Sequence, residues 1–249
     1  MNYLDSIRDF FQSPKWLTNL LLSGLCSLIP VVGPMVLLGW LLGGFWGRDT
    51  YQAAAFPDFD FGKFVDYLTR GLWPMLVALV AGVVIAPVMG LICFVPLMGM
   101  GVLTGGHGHQ GAEGVALVMV PPMFGAMLVV GVACGLLIKP LMLRAALLQD
   151  FPKAFDFGWA LRFLKYTWLE CVLATVFLWF ASLALALVGL MALCVGIYFI
   201  SGPIYFAMAH LDRQIYLLFL ARGGDALELS PKLREGPPAM ATLPPPPAP

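Results

Sequence analysis

The sequence predicts an all-α protein, a polytopic α-helical integral membrane protein with about six membrane segments (three helical hairpins) and amphipathic interfacial helices. Three observations carry that prediction. Of the 249 residues, 60% are hydrophobic and only 11% charged, too little charge to cover a water-exposed surface. Four stretches hold no Asp, Glu, Lys or Arg: Trp16–Gly47, Gly71–Ala112, Gly114–Ile138 and Cys171–Leu211. All 14 basic residues fall between or beside these stretches, in the windows Arg8–Lys15, Arg48–Arg70, Lys139–Lys165 and Arg213–Arg234.

The N-terminal segment sets Leu4, Ile7 and Phe11 against Asp5, Arg8 and Asp9, an amphipathic pattern. It lacks the short apolar core and small-residue site of a cleaved signal peptide, so the first apolar run reads as an uncleaved anchor. A spanning helix needs about 20 residues to cross about 30 Å of hydrocarbon. Trp16–Gly47 would be about 48 Å long as one helix, too long for one upright span and short for two. Pro30-Val31-Val32-Gly33-Pro34 interrupts it, which favours a hairpin of two short arms, re-entrant or spanning, over one kinked span.

Leu72–Thr104 is one long span, bent by Pro87 and Pro96, and Gly114–Ile138 is another. Cys171–Leu211 is about twice the minimum length and fits two spans with a turn near Gly189. Three hairpins place every basic window on one face. The opposite face then shows only the Pro30–Pro34 turn, the Gly105–Gly114 loop and the turn near Gly189. The positive-inside rule makes the basic face cytoplasmic, with both termini inside. A single span over Trp16–Gly47 gives five segments and strands Arg8 and Lys15 outside.

Phe59-Asp60-Phe61-Gly62 recurs as Phe155-Asp156-Phe157-Gly158. Each copy leads through an amphipathic stretch into a span, with Phe61, Phe64, Val65 and Leu68 on one helical face in the first. Asp60 and Asp156 are placed as N-caps, and the helices they open are expected to lie at the membrane interface. A further echo joins Leu25-Cys26 and Gly33-Pro34 to Leu193-Cys194 and Gly202-Pro203. The membrane domain is therefore read as 1–222, with repeat units 1–48, 56–148 and 151–222. Residues 223–249, rich in Gly and Pro, are read as a disordered cytoplasmic tail.

With this pattern in place, the chain resembles a prokaryotic multi-pass membrane family called domain of unknown function 4013. The resemblance rests on Pro14-Lys15-Trp16-Leu17, on Leu28-Ile29-Pro30-Val31-Val32-Gly33-Pro34 with Leu37-Leu38-Gly39-Trp40, and on Phe56-Pro57-Asp58-Phe59-Asp60-Phe61-Gly62. Ala154-Phe155-Asp156-Phe157-Gly158 and Gly202-Pro203 with Ala209-His210 are similar too, so that Ser6 to Arg222 is covered. It implies the cytoplasmic (inner) membrane of a prokaryote. It brings no activity and no site residues.

Candidate chemistry is sparse. His107, His109 and Glu113 in a Gly-rich loop supply metal-binding atom types, but without a known ligand spacing, and a solvated extracytoplasmic loop accounts for them better. His210, beside Asp212 and Arg213, sits where a proton relay or a helix-end anchor would, and Glu170 can reach Lys165 or the interface. Trp40, Trp46, Trp73, Trp168 and Trp179 read mostly as interfacial anchors. The five cysteines, Cys26, Cys93, Cys134, Cys171 and Cys194, lie in apolar runs and read as packing residues.

No acidic or basic residue falls deep within a predicted span, whereas ion-coupled transporters usually need one there. No catalytic, cofactor-binding or metal-binding set is assigned, and an enzyme is not expected. The predicted partners are the lipid bilayer and a membrane protein or second copy of the chain. Nucleic acid is not among them, because basic and acidic residues balance at 14 each. A scaffold, assembly or regulatory role leads, and a permease or channel for an uncharged or amphipathic solute is the alternative.

Overall fold

A computed structural model describes residues 1–48, 51–104, 109–191 and 196–233. Its helices are α1 (Tyr3–Arg8), α2 (Trp16–Ser27), α3 (Val32–Trp46), α4 (Phe64–Thr104), α5 (His109–Leu148), α6 (Phe151–Ala154), α7 (Phe157–Met191), α8 (Gly196–Phe199) and α9 (Ser201–Ala221), with short 3₁₀ turns between some of them. No strand occurs among the described residues.

The α2–α3 break falls where Pro30 was expected to make it. Val32 N–H donates to the Pro30 carbonyl at 2.7 Å, and Val31 between them has φ 67°, a tight γ-turn. Gly33 follows because a methyl there would collide with the Cys26 carbonyl. α3 then packs against the start of α4 at two glycines. A methyl at Gly39 would strike the Tyr67 carbonyl, and one at Gly71 the Met35 carbonyl. Small residues at both positions let the backbones touch.

Both Phe-Asp-Phe-Gly copies work as helix starts. Asp60 Oδ1 accepts from Gly62 N–H at 2.8 Å, and Asp156 Oδ1 accepts from Trp159 N–H at 3.0 Å. After the first copy the amphipathic stretch runs straight into α4. In α7 a kink at Thr167 (φ −133°) divides the helix in two, and the Thr167 hydroxyl bonds back to the Phe163 carbonyl at 2.7 Å.

α4 and α5 run side by side, α5 borders α7, and α7 borders α9. The core sits at one end of this bundle. It contains Trp40, Tyr67, Val77, Leu147, Trp159, Phe163, Leu211 and Phe219, all nearly or fully buried. Basic windows meet there too. Gln149 Nε2 donates to the Arg70 carbonyl, Arg70 Nε to the Lys232 carbonyl, and Arg144 to the Lys153 carbonyl. Beyond this end the helices extend as apolar arms with Val84, Leu91, Phe124, Val129, Phe180 and Leu187 exposed.

Three helical segments are long and apolar enough to cross a membrane: Phe61–Ile92, Pro121–Leu148 and Phe157–Met191. α2 and α3 are shorter apolar helices of 12 and 15 residues. Several expectations are corrected. The Gly105–Gly114 loop is helical from His109 onward, so any loop there is shorter than expected; residues 105–108 lie outside the described residues. The turn expected near Gly189 falls at or beyond Met191, where α7 ends and residues 192–195 lie outside the described residues; Gly189 lies against the Gly196 backbone, where a methyl would crowd it.

Residues 223–233 are not a free tail. Leu233 is fully buried, Ser230 N–H donates to the Leu147 carbonyl, and Leu227 N–H donates to the Tyr216 hydroxyl. Leu227, Leu229 and Leu233 supply the apolar area that holds this strap down, ahead of the Pro-rich sequence. The rest of the expected tail, 234–249, lies outside the described residues.

Candidate functional site

A cavity of about 360 Å³ opens between α3, α5, α7 and α9. Its walls are mainly apolar: Leu38 and Leu42 from α3, Met142 from α5, Leu178 and Trp179 from α7, and Met208 from α9. Gly135 and Ala209 make room for it, being the smallest side chains on the α5 and α9 walls. This volume falls in the range of small-molecule sites, which combine apolar walls with a few placed polar groups.

The charged groups are Lys139 and Asp212, beside Thr175, whose hydroxyl donates to the Cys171 carbonyl. Lys139 Nζ lies 2.7 Å from Asp212 Oδ1, with the two side chains 12% and 23% exposed. The two groups form a charge pair, with Asp212 Oδ1 buried at the contact. Lys139 sits nine residues before the end of α5, and Asp212 nine before the end of α9. Both charges therefore lie inside the helical bundle. The end of a charge-free run is thus not the end of its helix.

A second polar cluster joins the N-terminal segment to α9. Tyr51 donates its hydroxyl to Asp9 Oδ2 at 2.8 Å, and His210 Nε2 lies 3.9 Å from the same oxygen. Phe45 stacks on both Tyr51 and His210, and the Arg213 guanidinium sits 5.3 Å from the centre of the Tyr51 ring. Burial and the bond to Asp9 push the Tyr51 hydroxyl well above the usual phenol range, so it stays protonated and donating. His210 is buried, and its Nδ1 has no hydrogen-bond partner among the described residues.

His210 was expected at the cytoplasmic end of a span. It lies mid-helix, because α9 continues to Ala221. Glu170 pairs with Arg222, which also donates to the Tyr166 carbonyl. Trp40 is a core residue, 1% exposed, whose indole N–H donates to the Pro57 carbonyl at 2.9 Å. Trp168 and Trp179 are exposed. Cys26 and Cys171 are buried free thiols and Cys134 is half-buried and free.

His107 and the side chains of His109 and Glu113 lie outside the described residues. No group of three His, Cys, Asp or Glu able to hold a metal occurs among the described residues. The Lys139–Asp212 pair was the feature that sequence reading missed. Its only signal was that each residue is the first charge after a long apolar run, one basic and one acidic.

A family model described as "Protein of unknown function (DUF4013)" matches residues 22–209. No curated protein and no solved structure matches the chain.

Proposed function

The chain belongs to this family of proteins of unknown function, DUF4013, and on that premise we propose a multi-pass membrane component that is not an enzyme and works through lipid and protein contacts. It spans the cytoplasmic membrane of a prokaryote with its charged end and both termini in the cytoplasm. α2 and α3 form a short hairpin, and α4 with α5 and α7 with α9 form the other two. A scaffold, assembly or regulatory role follows from such contacts.

One observation carries the proposal. The most apolar windows of the three long segments are only 6%, 11% and 17% buried within the chain, so these helices need lipid or another membrane protein to cover them. The meeting of Arg70, Lys153 and Lys232 at one end of the bundle supports a single charged face. The test is carbonate washing of native membranes followed by co-purification in mild detergent. Retention in the pellet and recovery with a defined membrane partner are expected; release by carbonate, or a partnerless chain, overturns it.

A second reading, passage of an amphipathic solute, draws on the cavity. The Gly33-Pro34 and Gly202-Pro203 pairs lend it less than their sequence suggests. Each lies in the first turn of its helix, where proline is tolerated, and breaks no span. Flux of such a solute in proteoliposomes would favour this reading.

A further inference from the structure

We propose that the cavity between α3, α5, α7 and α9 is a lipid-binding site. It holds one acyl chain of a bilayer phospholipid, with an ester carbonyl of that lipid hydrogen-bonded to Lys139. The inference rests on the reading that the apolar arms lie in the bilayer, which puts lipid chains beside the cavity mouth.

The chemistry of the walls selects the ligand. An ammonium carries three N–H donors and no acceptor. Among the described residues Lys139 is paired with Asp212, at 2.7 Å. Donors are thus left over, at a site whose other walls offer Leu42, Met142, Leu178 and Met208. An ammonium that lines the cavity and has one protein partner can still donate to an oxygen that the occupant brings. The occupant must also be neutral at that point. Lys139 and Asp212 already cancel, and a carboxylate or phosphate would leave a net negative charge inside the bundle at a large desolvation cost.

An ester carbonyl meets both demands, and the attached chain fills the apolar remainder. Water would satisfy the ammonium but would leave the apolar walls wet. The phosphate headgroup stays at the interface, outside the cavity. Trp179, exposed and lining the same cavity, marks the side from which the chain enters.

The experiment uses the full chain in nanodiscs of phosphatidylethanolamine and phosphatidylglycerol. The probe is a phosphatidylethanolamine with a diazirine on one acyl chain, and crosslinked residues are mapped by mass spectrometry. Expected are adducts at Met142, Leu178 and Met208, inside the cavity, as well as at Val84, Leu128 and Leu187 on the arms. Gly135→Leu and Ala209→Leu, which place side chains in the cavity, reduce the cavity adducts about tenfold and leave the arm adducts unchanged.

A third variant, Lys139→Met with Asp212→Leu, keeps the walls apolar and removes the donor. It shifts adducts between cavity residues as the ester loses its anchor. Cavity adducts at background, or untouched by either filling substitution, overturn the proposal while arm adducts persist. Loss of the arm adducts in the unsubstituted chain would instead overturn the membrane reading beneath it.

Discussion

Removing one partner of the Lys139–Asp212 pair is expected to cost far more than removing both. Lys139→Met leaves the Asp212 carboxylate facing an apolar cavity, and Asp212→Leu leaves the ammonium there. Breaking a buried pair from one side costs about 3–5 kcal/mol in general. Because the two side chains keep 12% and 23% of their exposure, the low end applies, about 3 kcal/mol for each single substitution. The double substitution replaces two charges with apolar groups of similar size and should lie within about 1 kcal/mol of the original chain. Unfolding in mixed dodecyl maltoside and SDS micelles, followed by the fluorescence of the seven tryptophans, measures all four corners of the cycle. A difference of 3 kcal/mol is roughly a hundredfold in the unfolding equilibrium and is well resolved. If the two single effects simply add in the double variant, the charges do not act as a pair and the reasoning fails.

Other substitutions test the packing. Gly39→Ala forces a methyl into the Tyr67 carbonyl and should cost about 1–3 kcal/mol in the same assay, with α3 and α4 pushed apart. Leu233→Ala, at the buried end of the strap, should cost about 2–4 kcal/mol, whereas a solvated tail would register no change. Asp156→Ala removes an N-cap and should cost about 1 kcal/mol. The Asp156 carboxyl is held below the usual carboxylate range, first by the Trp159 N–H bond and with help from Arg144. Its contribution is therefore complete above the ordinary Asp value and fades as pH falls through the lowered one, so the gap between Asp156→Ala and the original chain should close only at strongly acidic pH.

Local signals in the sequence translated well into structure. Asp60 and Asp156 could be read as caps because a carboxylate needs only the backbone N–H groups two or three residues on. The break at Pro30 was legible for the same reason: proline acts on its own turn. Features made by distant residues were not. Lys139 and Asp212 looked like the outer edges of apolar runs, yet each helix continues nine residues farther, since a charge does not end a helix, and the pairing of the two depends on packing between α5 and α9. Trp40 looked like an interfacial anchor until Pro57, from a following loop, accepted its indole N–H. Leu227, Leu229 and Leu233 were lost in a polar, Gly- and Pro-bearing stretch, where three leucines give no helical or strand period.

On this reading the apolar arms cross a bilayer from a base whose charged segments share one side. Labelling with a membrane-impermeant maleimide, in sealed inverted vesicles, of single cysteines placed at Gln52, Lys153 and Ala226 in a chain whose own five are replaced by serine tests it most directly. All three sites should react equally from the cytoplasmic side without detergent. Labelling of Gln52 and Lys153 from opposite sides would contradict the account.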